Sequence, residues 1–168
     1  MLNRISCLVA GGLTLLSSLA ATTAHAEKLF LNESGWEIWQ GDTIVEGCTI
    51  EKEFNDGTYV LMGFDSQTSE SYIQMFNDDF EDVEDGVNYP VRIDIDGARY
   101  KGEAYGFNDG EYVGFEIAQN DLGFLLDLAN KNTLTLTDSS GDSYSLSLAG
   151  TRNALGGMMA CFEDFVSQ

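Results

Sequence analysis

Cys48, Cys161 and the run of carboxylates from Asp78 to Asp85 are the reactive or metal-ligating side chains that stand out in this chain. In an oxidising compartment the two cysteines would pair, and a bridge between them would close a loop of more than a hundred residues. The segment Asn-Asp-Asp-Phe-Glu-Asp-Val-Glu-Asp-Gly at 77–86 concentrates hard oxygen ligands just before a turn, which is calcium chemistry. Its candidate ligands are Asp78, Asp79, Glu81, Asp82, Glu84 and Asp85. It is not an EF-hand loop. Counted back from Gly86, Asp85 fits but Val83 takes the next ligand place; counted back from Gly97, Asp96 and Asp94 fit but Arg92 takes the first. Charge runs of this kind are usually solvated loops. Paired carboxylates could also run glycoside hydrolysis, one as acid and one as base or nucleophile. Asp94 and Asp96 would share one face of a strand, but with 28 acids in the chain such pairs are unavoidable, and solvent-facing acids beside a turn explain them better. Trp36 and Trp39 are candidates to anchor a partner, since aromatics dominate binding hot spots. Three positions apart in a strand, they would face opposite ways.

Composition removes most other chemistry. Residues 1–26 hold a basic start with Arg4, an apolar run around Leu8 to Leu19 and the small-residue ending Ala24-His25-Ala26, which is the pattern of a cleaved secretory signal. The run is too short and too badly flanked for a membrane span, and Cys7 precedes it where a lipid-attachment cysteine would follow it. Cleavage would remove Cys7, the one histidine and one basic residue, leaving 28 acids against seven bases, a charge one lower than the −20 of the whole chain. Without histidine, Ser-His-Asp and Cys-His catalysis lack their base, and imidazole-ligated zinc sites go too. There is no phosphate-cradling glycine loop and no dinucleotide fingerprint, and Lys28, Lys52, Lys101 and Lys131 sit in no nucleophile motif. Nucleic acid and anionic lipid would be repelled. A basic protein or cations would not.

These residues must be positioned by a mainly β chain. Short alternating runs at 36–40, 48–54, 59–64, 72–76, 91–95, 99–105 and 112–117 are separated by turn residues: Asn-Asp-Gly at 55–57 and 108–110, Glu-Asp-Gly at 84–86 and Asp-Gly at 96–97. Val91-Arg92-Ile93-Asp94-Ile95 is typical, with apolar residues on one face and charges on the other. Two segments resemble each other, FNDGTYVLMGF at 54–64 and FNDGEYVGFEI at 107–117, so that a duplication would place equivalent hairpins in a two-sheet fold; convergent hairpin chemistry explains the match equally. After Asn120 as N-cap, Leu122, Leu125, Leu126 and Ala129 fall at helical spacing to about Asn130. Strands at 133–137 and 144–149 follow around Ser140-Gly141-Asp142. A last helix from Gly150 or Thr151 carries Ala154, Leu155, Met158, Met159, Phe162 and Phe165 on one stripe, and Cys161 with them. Gly156 and Gly157 inside it predict close packing on the sheet or a kink. Residues 27–168 are thus expected to form one acidic domain, an antiparallel β-sandwich or barrel-like fold of about nine strands with two short helices. The second helix is C-terminal and tethered to an early strand through Cys48 and Cys161.

The early WEIWQ and CTI, the strand VRIDIDG, the helix-then-hairpin LLDLANKNTLTLT and YSLSLAGT, and the ending RNALGGMMAC resemble bacterial invasion-associated locus B proteins and related small periplasmic families. The last forty or so residues carry the resemblance most strongly, in the order strand, glycine-centred turn, short helix, cysteine. It implies an exported β-sandwich with a stabilising disulfide and implies no catalytic residues. This chain has fewer basic residues than such proteins lead one to expect.

The reading is a periplasmic or secreted, non-enzymatic binding module, an adaptor or inhibitor whose acidic surface attracts a basic protein or serves a host or envelope interaction. A calcium-dependent envelope module built on 77–86 is the alternative, with calcium its only cofactor. A carboxylate-based glycan hydrolase is the second alternative.

Overall fold

The computed structural model describes residues 28–41, 47–65, 68, 70–108, 110 and 112–167; the segment 1–26, expected as a secretory signal, lies outside them. Ten strands are formed among the described residues: β1 (Lys28–Glu33), β2 (Trp36–Gln40), β3 (Cys48–Glu53), β4 (Tyr59–Asp65), β5 (Glu70–Phe76), β6 (Asn88–Ile95), β7 (Ala98–Asn108), β8 (Val113–Gln119), β9 (Thr133–Thr137) and β10 (Ser143–Ser147). Helix α1 (Leu122–Asn130) separates β8 from β9, and α2 (Thr151–Phe165) follows β10. All strands join in one antiparallel sheet of order β1-β2-β3-β4-β5-β8-β7-β6-β9-β10. The sheet is therefore continuous rather than split into two bonded halves, and it curls: residues near both its ends, Trp36 and Leu146 among them, share a single core.

Alternation decides which residues enter that core. In β2, Trp36, Ile38 and Gln40 are buried and Glu37 is exposed; in β6, Ile93 and Ile95 are buried while Arg92 faces water. The two FNDG turns close the β3–β4 and β7–β8 hairpins, with Gly57 and Gly110 at φ of 83° and 86°, the left-handed values such turns require. β4 and β8 then pair with opposite sides of β5, so that Tyr59 and Gly114 both register with Phe76. The likeness of the segments thus appears as two hairpins flanking one strand. β1 was not among the expected strands. Its Leu29 and Leu31 are exposed and a bulge interrupts its pairing between them, so the clean alternation that marks the other strands is missing.

The helices close one end of the curl. Asp121 rather than Asn120 caps α1, its carboxylate accepting from the Gly123 amide at 2.7 Å. Phe124 and Leu128 are buried, and the Tyr100 hydroxyl donates to Asp127 at 2.8 Å. Burial first, then that hydrogen bond and the charge of Asp127, push the Tyr100 phenol up to about 12. α2 lays Ala154, Leu155, Met158 and Cys161 on β1, β2 and β3 and touches α1. The Thr151 hydroxyl sits within 2.5 Å of the Leu128 carbonyl and 2.8 Å of the Leu148 carbonyl, tying the three elements together. Gly157 faces the sheet, where a Cβ would lie 3.3 Å from Ile38 and Leu31; a Cβ at Gly156 would meet open space. Close packing therefore explains one of the two glycines.

Cys48 and Cys161 form the expected disulfide, with Cα atoms 6.1 Å apart across 113 residues of sequence. Closing so long a loop contributes about 4–5 kcal/mol in the chain-entropy treatment. Fully burying one large apolar side chain contributes about 1.5–3 kcal/mol. The bridge thus counts for two or three of the many buried side chains, and the core carries the fold. The double variant Cys48→Ala, Cys161→Ala is expected to stay folded and to lose about 4 kcal/mol in denaturant unfolding. In the same assay Gly156→Ala gains about 1 kcal/mol from helix propensity, whereas Gly157→Ala loses that gain to the crowding at Ile38.

Candidate functional site

The helices cover one end of the concave face; the other end opens as a pocket. β9 registers with β6 only over Arg92 to Ile95, so the inner-face residues Tyr89 and Val91 extend beyond the reach of the β9–β10 hairpin. Pro90 lies in this same stretch, where β6 pairs with β7 alone and no second neighbour asks for an amide. The uncovered floor consists of Tyr89, Val91, Ala104, Phe115, Leu136 and Tyr144. Above it stand Phe80 and Val83 from the β5–β6 connection, and the cavity between them measures about 450 Å³. Phe80 stacks on Phe115 at 5.2 Å and meets Tyr144 edge-on at 6.0 Å.

Four carboxylates stand around the opening: Asp79 and Asp82 from the β5–β6 connection, Asp138 and Asp142 from the β9–β10 turn. No lysine or arginine lines it. The connection that carries Asp79 and Asp82 is built of successive turns. The Asn77 side chain accepts from the Asp79 amide at 2.8 Å and donates to Thr58 at 2.8 Å, and the Val83 amide bonds the Phe80 carbonyl at 3.0 Å. Asn108 fastens the far end, donating from its side chain to the Val83 carbonyl and from its amide to Asp85. The acids of 77–86 are therefore divided: Asp79 and Asp82 reach the pocket, and Asp85 binds the Asn108 backbone. Asp78, Glu81 and Glu84 are exposed. Among the described residues no three His, Cys, Asp or Glu side chains are placed to share a metal ion.

Local hydrogen bonds set the charge of the opening. Oδ1 of Asp138 accepts from the Ser140 hydroxyl at 2.7 Å and from the amides of Ser140, Gly141 and Asp142 at 2.8–3.0 Å. The Ser140 hydroxyl first, and those amides with it, hold its carboxyl below the usual carboxylate range. The Thr58 amide does the same for Asp56, across the pocket's edge. The Tyr144 hydroxyl reaches over to Thr58 at 2.7 Å and Asp56 at 3.3 Å, and burial, reinforced by the Asp56 charge, pushes its phenol up. At the opening, Asp138 is thus favoured in its charged form and Tyr144 in its neutral one.

The other candidates are placed elsewhere. Trp36 is fully buried, its indole donating to the Ala149 carbonyl at 3.0 Å with Lys52 above its ring at 5.2 Å; it is a core residue and offers no surface to a partner. Trp39 lies on the opposite face of β2, half-buried, with its ring nitrogen unpaired among the described residues. Asp94 accepts from the Gly97 amide and pairs with Arg99, and Asp96 accepts from the Asn132 amide, so both serve the β6–β7 turn and its junction with β9. Sequence reasoning did not single out Asp138, Asp142 or Tyr144. Two acids flanking a tight hairpin turn were a visible signal, but their nearness to 79–82, more than fifty residues away, was not.

No protein-family model matches the chain, and no curated protein matches its sequence. Among solved structures it is similar to the crystal structure of invasion associated protein B from Bartonella henselae, with a TM-score of 0.57 and 15% sequence identity. The match covers 80% of this chain and 97% of that one. The resemblance carried by the sequence motifs thus holds at the level of the fold, and the chain shares its architecture with an invasion-associated protein.

Proposed function

We propose that this chain is an exported, non-enzymatic binding module that receives a basic protein at the acidic opening of its curled sheet. The observation that carries this reading is an apolar floor whose lining includes four carboxylates and no lysine or arginine. Such a surface suits a partner that brings an apolar side chain flanked by positive charge. Apolar burial supplies affinity, and the charges supply orientation and speed of encounter. The net charge of −20 adds long-range attraction for the same partner. The disulfide and the likeness to an invasion-associated protein support an exported setting, and that protein's name supports a role at an envelope or host boundary.

The test is capture of partners from envelope and host-cell lysates at low salt and again at about 0.5 M salt, where the Debye length falls below roughly 5 Å. A basic protein held at low salt and released at high salt is expected. The variant Asp79→Lys, Asp82→Lys is expected to lose that protein, while Glu37→Lys, Glu163→Lys, with the same change in net charge at exposed sites far from the opening, keeps most of it. Equal loss from both variants would show that net charge alone matters.

Acid dependence follows from the held-down carboxyls. Because Asp56 and Asp138 are favoured in their charged form, protons compete for them only below the usual carboxylate range. Their contribution to stability is likewise present above the unfolded-state value and lost as pH falls through the lower folded-state one. The part of capture that rests on Asp138 is therefore expected to hold from pH 7 down through about pH 4 and to fall away only below it. Release near pH 6 would contradict this.

A further inference from the structure

The opening lies beside a strand edge. β10 pairs with β9 on one side and, among the described strands, has no neighbour on the other. The bonds from the Asp138 amide to the Asp142 carbonyl and from the Leu148 amide to the Asn132 carbonyl set the phase of the ladder. Tyr144 and Leu146 thus exchange their hydrogen bonds with Leu136 and Leu134 of β9. The amides and carbonyls of Ser143, Ser145 and Ser147 point to the free side.

The two edges of the sheet are finished differently. β1 ends in Lys28 and Glu33 and is broken by a bulge between Leu29 and Leu31, the devices by which natural sheets blunt an edge. β10 reads Ser-Tyr-Ser-Leu-Ser, pairs in unbroken register, and contains no charge, proline or glycine. Its inward residue Tyr144 lines the apolar floor, and the turn that leads into it carries Asp138 and Asp142 at the rim. An open edge, an apolar socket and fixed negative charge therefore meet at one place.

We infer that β10 takes an extended basic segment of the partner as an additional strand. The segment's main chain bonds Ser143, Ser145 and Ser147. One apolar side chain enters the socket beside Tyr144, and flanking lysines or arginines meet Asp79, Asp82, Asp138 and Asp142. Alternation does the sorting, since residues two apart in the added strand face the same side. Charge argues for this occupant over a second copy of the chain, which would bring the same net charge of −20 to the same edge. The inference rests on the opening as the binding site and adds the main-chain geometry.

The test uses the peptide Lys-Arg-Thr-Phe-Thr-Arg-Lys and two N-methylated forms, one blocked at its even-numbered amides and one at its odd-numbered amides. Both forms keep every charge and the phenylalanine. Calorimetry with the whole protein is expected to show binding of the parent peptide, a loss of roughly tenfold or more in one methylated form and little change in the other, because only one edge of an added strand faces β10. Hydrogen exchange at the amides of Ser143, Ser145 and Ser147 slows when the parent binds. Equal affinity of the two methylated forms overturns the added strand and leaves the opening as a site. No binding of the parent peptide overturns the opening as well. A dimer that sediments as such without peptide and protects those same amides assigns the edge to a second copy and overturns the inference.

Discussion

A sheet of ten strands that curls on itself has one inner face to keep dry, and the covering available is shorter than the face. α2 spends its apolar stripe on the end built from β1, β2 and β3, and α1 packs on α2 and on Tyr100 of β7. The other end has no helix. The chain covers it with Phe80 and Val83, two side chains at the tips of successive turns, which leave a cavity of about 450 Å³ over Tyr89, Val91, Phe115 and Tyr144. A pocket here follows from the topology, as it does at the mouths of closed barrels. The disulfide is secondary to that arrangement: it holds α2 against β3 at the closed end and reaches none of the residues of the open one.

What surrounds the cavity follows from the turns that close it. Both the β5–β6 connection and the β9–β10 turn use Asp, Asn and Ser side chains to bond their own backbones, and this local chemistry is what brings negative charge to the rim. Asp138 shows the double use. Its Oδ1 is consumed by the turn, which fixes the carboxylate in place and keeps it ionised, and its position on the hairpin sets it over the apolar floor. One residue thus both closes the turn and places a charge at the rim.

Most of the fold was legible because the alternation is strong. The strands at 36–40 and 133–137 carry the bounds expected of them, and the helix from Leu122 to Asn130 differs only in its cap. β1 escaped because its Leu29 and Leu31 are exposed on either side of the half-buried Phe30 and a bulge breaks its period. The choice between sandwich and barrel was undetermined, since pairing partners such as β5 with β8 or β6 with β9 leave no mark on local pattern. The site was legible by halves. The acids of 77–86 stand out in the sequence, but their division between pocket, Asn108 and solvent depends on turn geometry. Nothing in the sequence tied Asp138 and Tyr144 to those acids, because their significance is where a distant hairpin comes to rest. Trp36 looked like an anchor for a partner and is one for the core, as its complete burial and its bond to Ala149 show.

The order of elements along the chain adds a constraint in time. Every strand precedes α2, yet α2 supplies Ala154, Met158 and Cys161 to the core that Trp36, Ile38 and Ile50 open near the other end. As the polypeptide emerges, its sheet can begin to pair, but the end built from β1, β2 and β3 has nothing to shut it before α2. The inner face stays wet until the final helix is out, and the partner cysteine of Cys48 arrives only with that helix. Closure of that end is therefore the last step the chain order allows, and a chain cut short before residue 161 would lack both the bridge and the last turns of the helix that cover it.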